Sequence, residues 1–482
     1  MLLQLLPHQL AAEGHSGALV AFLDFRKAYD SVNREFLREV LLKIGVGDKF
    51  VAWVMLLLSP STTACAVLNG FKSTKLAFHA GVRQGCPLAP LLYLFVGEAL
   101  LRFMKAQPEL GVVLAGSRHM AAQYADDVDP FLKDVSVVPV LLQTMSVFGD
   151  ASNQRMNLDK TKLLPVGPPA VAPLPATVDA IPLVANATTL GITFHAGLTP
   201  ATPKHEWQLL FDKLTSKFRT LGHLPLSAFG RAMGATSYAL SKVLFYLEHS
   251  GLPPARELAA VQQALAKLVD RANKHGFTYV RKELLVGPAK QGGFGMLDVE
   301  QHVTARHAVW AVKLVTGDAD VPWIRVGRAL LRHLWGDGWH VILPLPPAAQ
   351  HPDNASPGNG NVPMPAPLAR IFRALHKLPD MHDVVAPAPV HPMDPPQDAL
   401  DMLINRMGWK VREVGSTVPI AVPLTALTVR TAYRMLLQPT VDMRVQRWKQ
   451  FIADGACIDV ASVDDAMTKQ LHTLLGKEYG VV

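Results

Sequence analysis

Two short clusters in this sequence hold side chains suited to handling phosphate through divalent cations. In the first, LDFRKAYD, Asp24 closes an apolar, β-favouring run and Tyr29 follows five residues later. In the second, Tyr124, Ala125, Asp126 and Asp127 stand together inside a β-like segment spanning 123–132. Adjacent strand residues point to opposite faces, so neighbouring carboxylates converge only at a tight turn. Magnesium takes one or two protein carboxylates and fills its remaining positions with water and substrate phosphates, so Asp24 and Asp126 from separate strands suffice to hold it. Two such ions run phosphoryl transfer: one lowers the pKa of an attacking hydroxyl, and the other neutralises the leaving pyrophosphate. Standing alone, Asp24 reads as a helix cap or turn residue, an Asp-Asp pair as a hydrophilic turn, and Tyr29 as a core aromatic.

Between the clusters lies GVRQGCPLAPLL. Gly85 permits close backbone approach by a ligand, and Pro87 presets φ for a helix beginning near it. Arg83 and Gln84 are expected to face outward as donors. After the second cluster, MNLDKTKLL supplies Lys160 and Lys162, either of which can steady a leaving pyrophosphate and either of which, alone, is an ordinary surface lysine.

These clusters need a scaffold, and the surrounding pattern predicts one. Residues 18–25 read as a strand, 31–44 and 48–58 as helices, 64–68 and 76–78 as a β-like pair, 90–105 as a helix, 123–132 as a hairpin and 138–155 as a helix. That alternation predicts an α+β domain, an antiparallel sheet covered by helices on one face. The proline-rich stretch 165–182 reads as irregular, and TTLGITF after it as a strand. From about 203 to 334 the pattern is helical, with basic and apolar residues mixed. Residues 341–398 contain 14 prolines around one short helical stretch, PLARIFRALHKL, and read as a largely disordered extended linker. The expected division is 1–197, 198–340, 341–398 and a small region 399–482.

Lys plus Arg exceed Asp plus Glu by 47 to 39, a formal charge of +8 and a pI near 9.3, which suits a polyanionic partner. Cys65, Cys86 and Cys457 are too few and too scattered for a disulfide framework or a four-cysteine zinc site, which points to a reducing, intracellular setting. The first residues, MLLQLLPHQL, lack a basic start and read as a helix fragment, and the most apolar windows, 50–58 and 90–96, fall short of the roughly 20 residues of a membrane span. His302 and His307 are five apart, one beyond the spacing that places two imidazoles on one helical face, and no metal is assigned there. Gly292, Gly293 and Gly295 lack a dinucleotide fingerprint and read as a turn, while Trp207, Lys213, Lys217 and Arg219 read either as a duplex groove or as a solvated amphipathic helix.

The order of the motifs is what gives them meaning. LDFRKAYDSV, GVRQGCPLAPLL, YADD, NLDKTK and LGI resemble, in sequence, motifs A to E of the reverse transcriptases, and their wording is similar to the non-LTR (LINE-type) retrotransposon branch and its group II intron relatives. Segments further on, GPAKQGGFGMLDVEQHVTARHAVWAVKLVTGDADVPW and LTVRTAYRML with RWKQF, resemble regions beyond the thumb of non-LTR elements more weakly. The resemblance implies a right-hand polymerase palm followed by a helical thumb-like unit, and an RNA-directed DNA polymerase that extends a DNA primer with dNTPs on an RNA template, using two Mg²⁺ ions for which Mn²⁺ substitutes. It implies Asp24, Asp126 and Asp127 as catalytic and metal-binding residues, and Tyr29, Gln84, Gly85 and Lys160 as substrate-binding residues, with Tyr29 as a gate beneath the incoming sugar. Two departures stand out. The fingers region and the endonuclease of family members have no counterpart in the sequence, which therefore reads as a partial copy; and Asp129-Pro130 after YADD replaces apolar strand residues, so a distorted hairpin is expected. The alternative is a degenerate copy acting only as a basic nucleic-acid-binding protein.

Overall fold

The computed structural model describes residues 1–83, 85–197, 204–269, 282–287, 293–336, 339, 364–384, 406–412 and 419–439. The chain forms two compact units, Met1–Ala201 and Thr202–Val482.

In chain order the first unit contains α1 (Leu2–Ala12), β1 (Leu19–Phe22), α2 (Ala28–Ser31), α3 (Arg34–Lys43), α4 (Asp48–Leu58) and four two-residue strands, β2 (Thr63–Ala64), β3 (Val67–Leu68), β4 (Phe71–Lys72) and β5 (Leu76–Ala77). Then come α5 (Ala89–Lys105), β6 (Val112–Leu114), β7 (Ser117–His119), β8 (Ala121–Tyr124), β9 (Asp127–Leu132), α6 (Val138–Ser152), β10 (Lys162–Pro165), β11 (Thr177–Val178), β12 (Ile181–Pro182), β13 (Asn186–Thr189) and β14 (Ile192–His195). The central sheet runs β10-β1-β9-β8, and every neighbouring pair is antiparallel.

Alternation along these strands builds two buried faces. Leu19, Ala21, Leu23, Val128, Leu132 and Leu163 pack into one core with apolar residues of α3, α4, α5 and α6. Asn33 starts α3 by accepting from the amides of Glu35 and Phe36, and Val32, Leu37 and Leu41 then enter that core. The alternate residues Val20, Phe131 and Leu164 are also buried. A small cavity on their side is lined by Val20, Phe22 and Leu164 together with Leu3, Gln4 and Pro7 of α1 and Phe194 of β14. Helices therefore do not confine themselves to one face, as the pattern suggested; α1 packs on the other.

Two segments differ from expectation because short turns were hidden in them. The proline-rich stretch ends in a two-strand hairpin, β11 with β12. TTLGITF is not one strand but the end of the first arm, the turn and most of the second arm of the β13–β14 hairpin, since Leu190 and Gly191 both take left-handed φ, 50° and 77°, as a two-residue hairpin turn requires. One described helical stretch, Val135–Ser152, is long and apolar enough to cross a membrane. Its Val138, Leu141, Met145 and Phe148 are core residues here.

The second unit contains α7 (Lys204–His223), α8 (Ala228–Gly234), a π-helical stretch Ala235–Leu240, α9 (Ser241–Ser250), α10 (Ala255–Val269), α11 (Lys282–Val286), α12 (Val299–Thr316), α13 (Pro322–Trp335), α14 (Ala366–Leu375), β15 (His382–Asp383), β16 (Met407–Arg412) and β17 (Pro419–Pro423). Trp207 is buried against Phe211 and edge-on to Tyr246, so it belongs to the core and not to a groove. Lys213 and Arg219 are exposed, and Lys217 lies over the Tyr238 ring. The stretch read as linker holds α14, with Leu368, Ile371 and Phe372 buried, and β15, which pairs with β16 across the expected boundary at 398. Residues 341–363 and 385–398 of that stretch, and RWKQF, lie outside the described residues.

Candidate active site

Strand register decides which of the sequence-predicted residues meet. β1 opposes β9 at Leu19↔Leu132 and Val20↔Phe131, and the same register returns in the bridge Leu23↔Val128, where the Leu23 amide donates to the Val128 carbonyl at 3.1 Å. One residue further on, Asp24 stands across from Asp127. Leu23 and Val128 are core residues, so alternation turns Asp24 and Asp127 to the opposite face. On the other side β1 meets β10 at Phe22↔Lys162; beyond it a turn over 158–160 interrupts the register, so that Asn157 pairs with Asp24 and Met156 with Phe25, and Lys160, in that turn, brings its Nζ near Asp24. The cleft face thus carries Asp24 and Asp127, with the turn residue Lys160 beside Asp24 and with Lys162, Phe22 and Asp129 in the row behind.

The β8–β9 hairpin closes through Ala125 and Asp126, with Tyr124 paired to Asp127. Ala125 takes the left-handed φ of 55° that the two-residue turn needs. Pro130 leaves this ladder intact, opposite Ala121, and the following amide of Phe131 donates to Met120 at 2.8 Å. The gap falls on the other side: between Phe131 and Val128 the β1–β9 pairing lapses, which is where a residue without an amide proton faces β1. The expected distortion is therefore confined to the β1 side, and the hairpin carrying the two aspartates is regular.

Asp24 is half-buried and doubly held by Asn157, whose amide donates to the Asp24 carbonyl at 2.7 Å and whose Nδ2 donates to Oδ2 at 3.0 Å. Lys160 Nζ lies 3.7 Å from the same Oδ2, with side chains 69% and 39% exposed, a pair that contributes little to stability. Partial burial, then the like charges of Asp126 and Asp24, hold the Asp127 carboxyl above the ordinary range. Negative charge is thus concentrated here. A cleft of about 460 Å³ opens beside it, lined among others by Asp24, Asp127, Asp129, Lys160, Lys162 and Thr189. Asp129 is 5% exposed and burial pushes its carboxyl up to about 7, although a hydrogen bond with Thr189 of β13 draws it down.

Tyr29 sits on α2 with its ring stacked on Tyr93 of α5, centroids 4.5 Å apart and 12° between planes. Its carbonyl accepts from the Val82 amide at 2.8 Å. Burial, then Asp126, then Tyr124 raise the Tyr29 phenol, which ties that phenol to the hairpin turn. Tyr93 in turn donates to Gln154, whose Nε2 donates to the Ala28 carbonyl and to Ser31, so the short helix under Tyr29 is clamped from below. Gly85 is exposed at φ 85°, and an added Cβ would meet nothing within 4 Å. Gln84 lies outside the described residues. Arg83 does not face outward as expected: it donates to the carbonyls of Ser59 and Thr62, with its guanidinium over the Phe78 ring.

Among the described residues, no three His, Cys, Asp or Glu side chains form a group able to hold a metal by themselves. Two opposed carboxylates with a third in the adjoining turn are a partial donor set, of the kind a Mg²⁺ ion completes with water and phosphate oxygens. His302 and His307 are not part of this arrangement; His302 accepts from Arg306, and His307 bonds the Glu248 carbonyl at 2.7 Å.

Sequence reasoning missed Asn157, Tyr93, Gln154 and Asp129 as parts of the site. Asn157 stands within the quoted NLDKTK, and Asp129 drew notice only for its proline. Nothing local marks Tyr93 or Gln154, whose partners lie 61 to 126 residues away.

Residues 2–210 match the model of the family described as reverse transcriptase (RNA-dependent DNA polymerase). The chain is 27% identical over 246 residues to the retrovirus-related Pol polyprotein from type-1 retrotransposable element R2 of Popillia japonica, covering 51% of this chain and 31% of that protein. It is 25% identical over 337 residues to the transposon TX1 uncharacterized 149 kDa protein of Xenopus laevis, covering 67% of this chain and 25% of that protein. A third relative, the Pol polyprotein from type-2 retrotransposable element R2DM of Drosophila melanogaster, is 31% identical over 143 residues, covering 29% of this chain and 13% of its own length. The chain thus spans between about a tenth and a half of the length of the curated relatives it matches. Residues 2–210 thus match the reverse transcriptase family, and the relatives that the chain resembles are Pol proteins of R2 elements and a TX1 transposon protein, in keeping with a non-LTR reverse transcriptase.

Proposed function

We propose that this chain extends a DNA primer on an RNA template, joining dNTPs to the 3′-hydroxyl with two divalent ions held by Asp24, Asp126 and Asp127. The observation that carries this reading is the register that sets Asp24 across from Asp127, on the face away from the core, with Asp126 in the adjoining turn. Bound Mg²⁺, or Mn²⁺ in its place, supplies Lewis acidity: it lowers the pKa of the attacking hydroxyl and neutralises the departing pyrophosphate. The chain's own groups do the rest. Asn157 fixes the Asp24 carboxylate, so the ligand is oriented before substrate arrives. Lys160, with its Nζ 3.7 Å from Asp24 Oδ2 and its side chain largely exposed, is placed to meet phosphate oxygens beside Asp24. Tyr29, flat against Tyr93, occupies space where a 2′-hydroxyl meets a ring edge, and so favours the deoxy sugar. Gly85 leaves open space for template or nucleotide, and Gln84 is assigned to the same contact.

In the same reading residues 1–197 are the palm, 198–340 a thumb-like helical region, 341–398 a proline-rich stretch that carries the packed α14 and the paired β15, and 399–482 a small terminal region. The test is single-nucleotide extension of an RNA/DNA template-primer with Mg²⁺ present or chelated. Extension that survives chelation, or that survives loss of the Asp24 carboxylate in a preparation free of other polymerases, would overturn it.

A further inference from the structure

The tip of the catalytic hairpin is supported from beneath by one side chain in one notch. Gln123 precedes the YADD segment and pairs with Val128, a buried core residue, so its side chain lies on the core face of the hairpin. There its Nε2 donates to the carbonyl of Ala125 at 3.3 Å. Ala125 is the left-handed residue of the turn, so this bond ties the turn's own backbone to the Gln123 side chain. The space that the amide occupies is made by α5. A Cβ built on Gly97, a buried position in the middle of that helix, would stand 2.2 Å from Gln123 Nε2 and 3.3 Å from its Cδ. Glycine is the poorest helix-interior residue apart from proline, so its presence in α5 has a packing reason. One turn earlier the same helix presents Tyr93 to Tyr29. Gln123 Oε1 is buried without a hydrogen-bond partner among the described residues, so an amide is kept here despite the cost of an unpaired acceptor.

We propose that Gln123, seated in the Gly97 notch, is a positioning residue that fixes the Ala125–Asp126 turn and thereby the direction of the Asp126 carboxylate. It acts on the reaction only through that turn, so the inference rests on the polymerase reading for its catalytic consequence but not for its structural one. Gly97→Ala is the sharp probe, because the atom it displaces is the free end of a flexible side chain and the helix itself gains a better former.

The experiment uses the full chain and the variants Gly97→Ala, Gln123→Ala and the double substitution, with two readouts. The first, amide hydrogen exchange over residues 124–128, needs no activity; the second is kcat and KM for dNTP in single-nucleotide extension on an RNA/DNA template-primer. Each single variant should speed exchange at the turn about tenfold, with β1 and α5 still protected, and lower kcat by roughly tenfold to a hundredfold at nearly unchanged KM, as misplaced reacting groups do. The double variant should be no worse than Gln123→Ala, since the added methyl then has no amide to expel; such non-additivity is the mark of two residues acting as one unit. Turn exchange that stays at the wild-type rate, or effects that simply multiply, would overturn the proposal. If wild-type chain extends no primer while the exchange pattern appears, the polymerase reading falls and the positioning role stands; if wild type extends and the turn does not respond, the reverse holds.

Discussion

At the residue scale the carboxylates matter for where the sheet sets them. Asp24→Ala should lower primer extension at least about a thousandfold, equal to ~4 kcal/mol of transition-state stabilisation, while template-primer binding persists. Paired extension and anisotropy measurements check this. Tyr29 is held by a parallel ring and by the Val82 amide, so it is a rigid wall and not a mobile side chain. Tyr29→Ala should therefore raise incorporation of rNTP relative to dNTP by about tenfold or more, the scale of a steric exclusion worth ~1.4 kcal/mol. An unchanged ratio in a competition assay would reduce Tyr29 to core packing. What the sequence displayed at this scale was the set of chemical types, Asp24, Asp126, Asp127 and Lys160, because they sit in contiguous motifs. It did not display Tyr93, Gln154 or Asn157 as supports, because each acts through a contact between distant segments that no local spacing records.

At the element scale the loop leading into Gly85 is fixed to the segment that carries Tyr29. Arg34 is 9% exposed and donates to the carbonyls of Phe78, Ala80 and Gly81, while the amides of Gly81 and Val82 donate to Val32 and Tyr29. Gly81 has φ 77°, and a Cβ there would stand 2.6 Å from the backbone of Asp30. Gly81→Ala should thus destabilise the first unit by about 3 kcal/mol, through both left-handed strain and collision with backbone that cannot yield. A denaturation midpoint within error of wild type would contradict that close packing. Legibility at this scale followed periodicity. The helices at 48–58, 90–105 and 138–155 and the 123–132 hairpin were readable because each is long or carries a turn signal. The β13–β14 hairpin was read as one strand because its turn residues, Leu190 and Gly191, sit inside an apolar run, with leucine at a left-handed position that seldom accepts it. The side of the sheet disturbed by Pro130 was likewise invisible, since that depends on which neighbour strand the missing amide proton faces.

At the scale of the whole molecule two properties are distributed. The net charge of +8 supports binding through backbone phosphates, so affinity for a template-primer duplex should fall steeply and linearly in log K against log salt, and a flat dependence would argue against a phosphate-tracking groove. In the second unit, burial pushes His249, His302 and His307 each down to about 4 from 6.5. The unfolded chain therefore binds more protons than the fold between those values, so this stability is fully present above about pH 6.5 and lost as pH falls toward 4. His307, 3% exposed, should contribute on the order of 2 kcal/mol to that loss, and His307→Gln should flatten the dependence of the second unit's melting temperature over that window. Equal slopes for variant and wild type would show that His307 is not kept neutral by the fold.

The central claim, that Asp24 and the hairpin aspartates form one metal-dependent polymerase centre, is tested most directly by single-nucleotide extension on an RNA/DNA template-primer. The comparison is between the chain and its Asp24→Asn and Asp127→Asn variants, across a Mg²⁺ titration and with duplex binding followed in the same samples. Wild type should extend the primer only with metal present, all three proteins should bind the duplex, and extension should fall at least about a hundredfold in both variants at every Mg²⁺ concentration. Extension by either variant at the wild-type rate would contradict the claim.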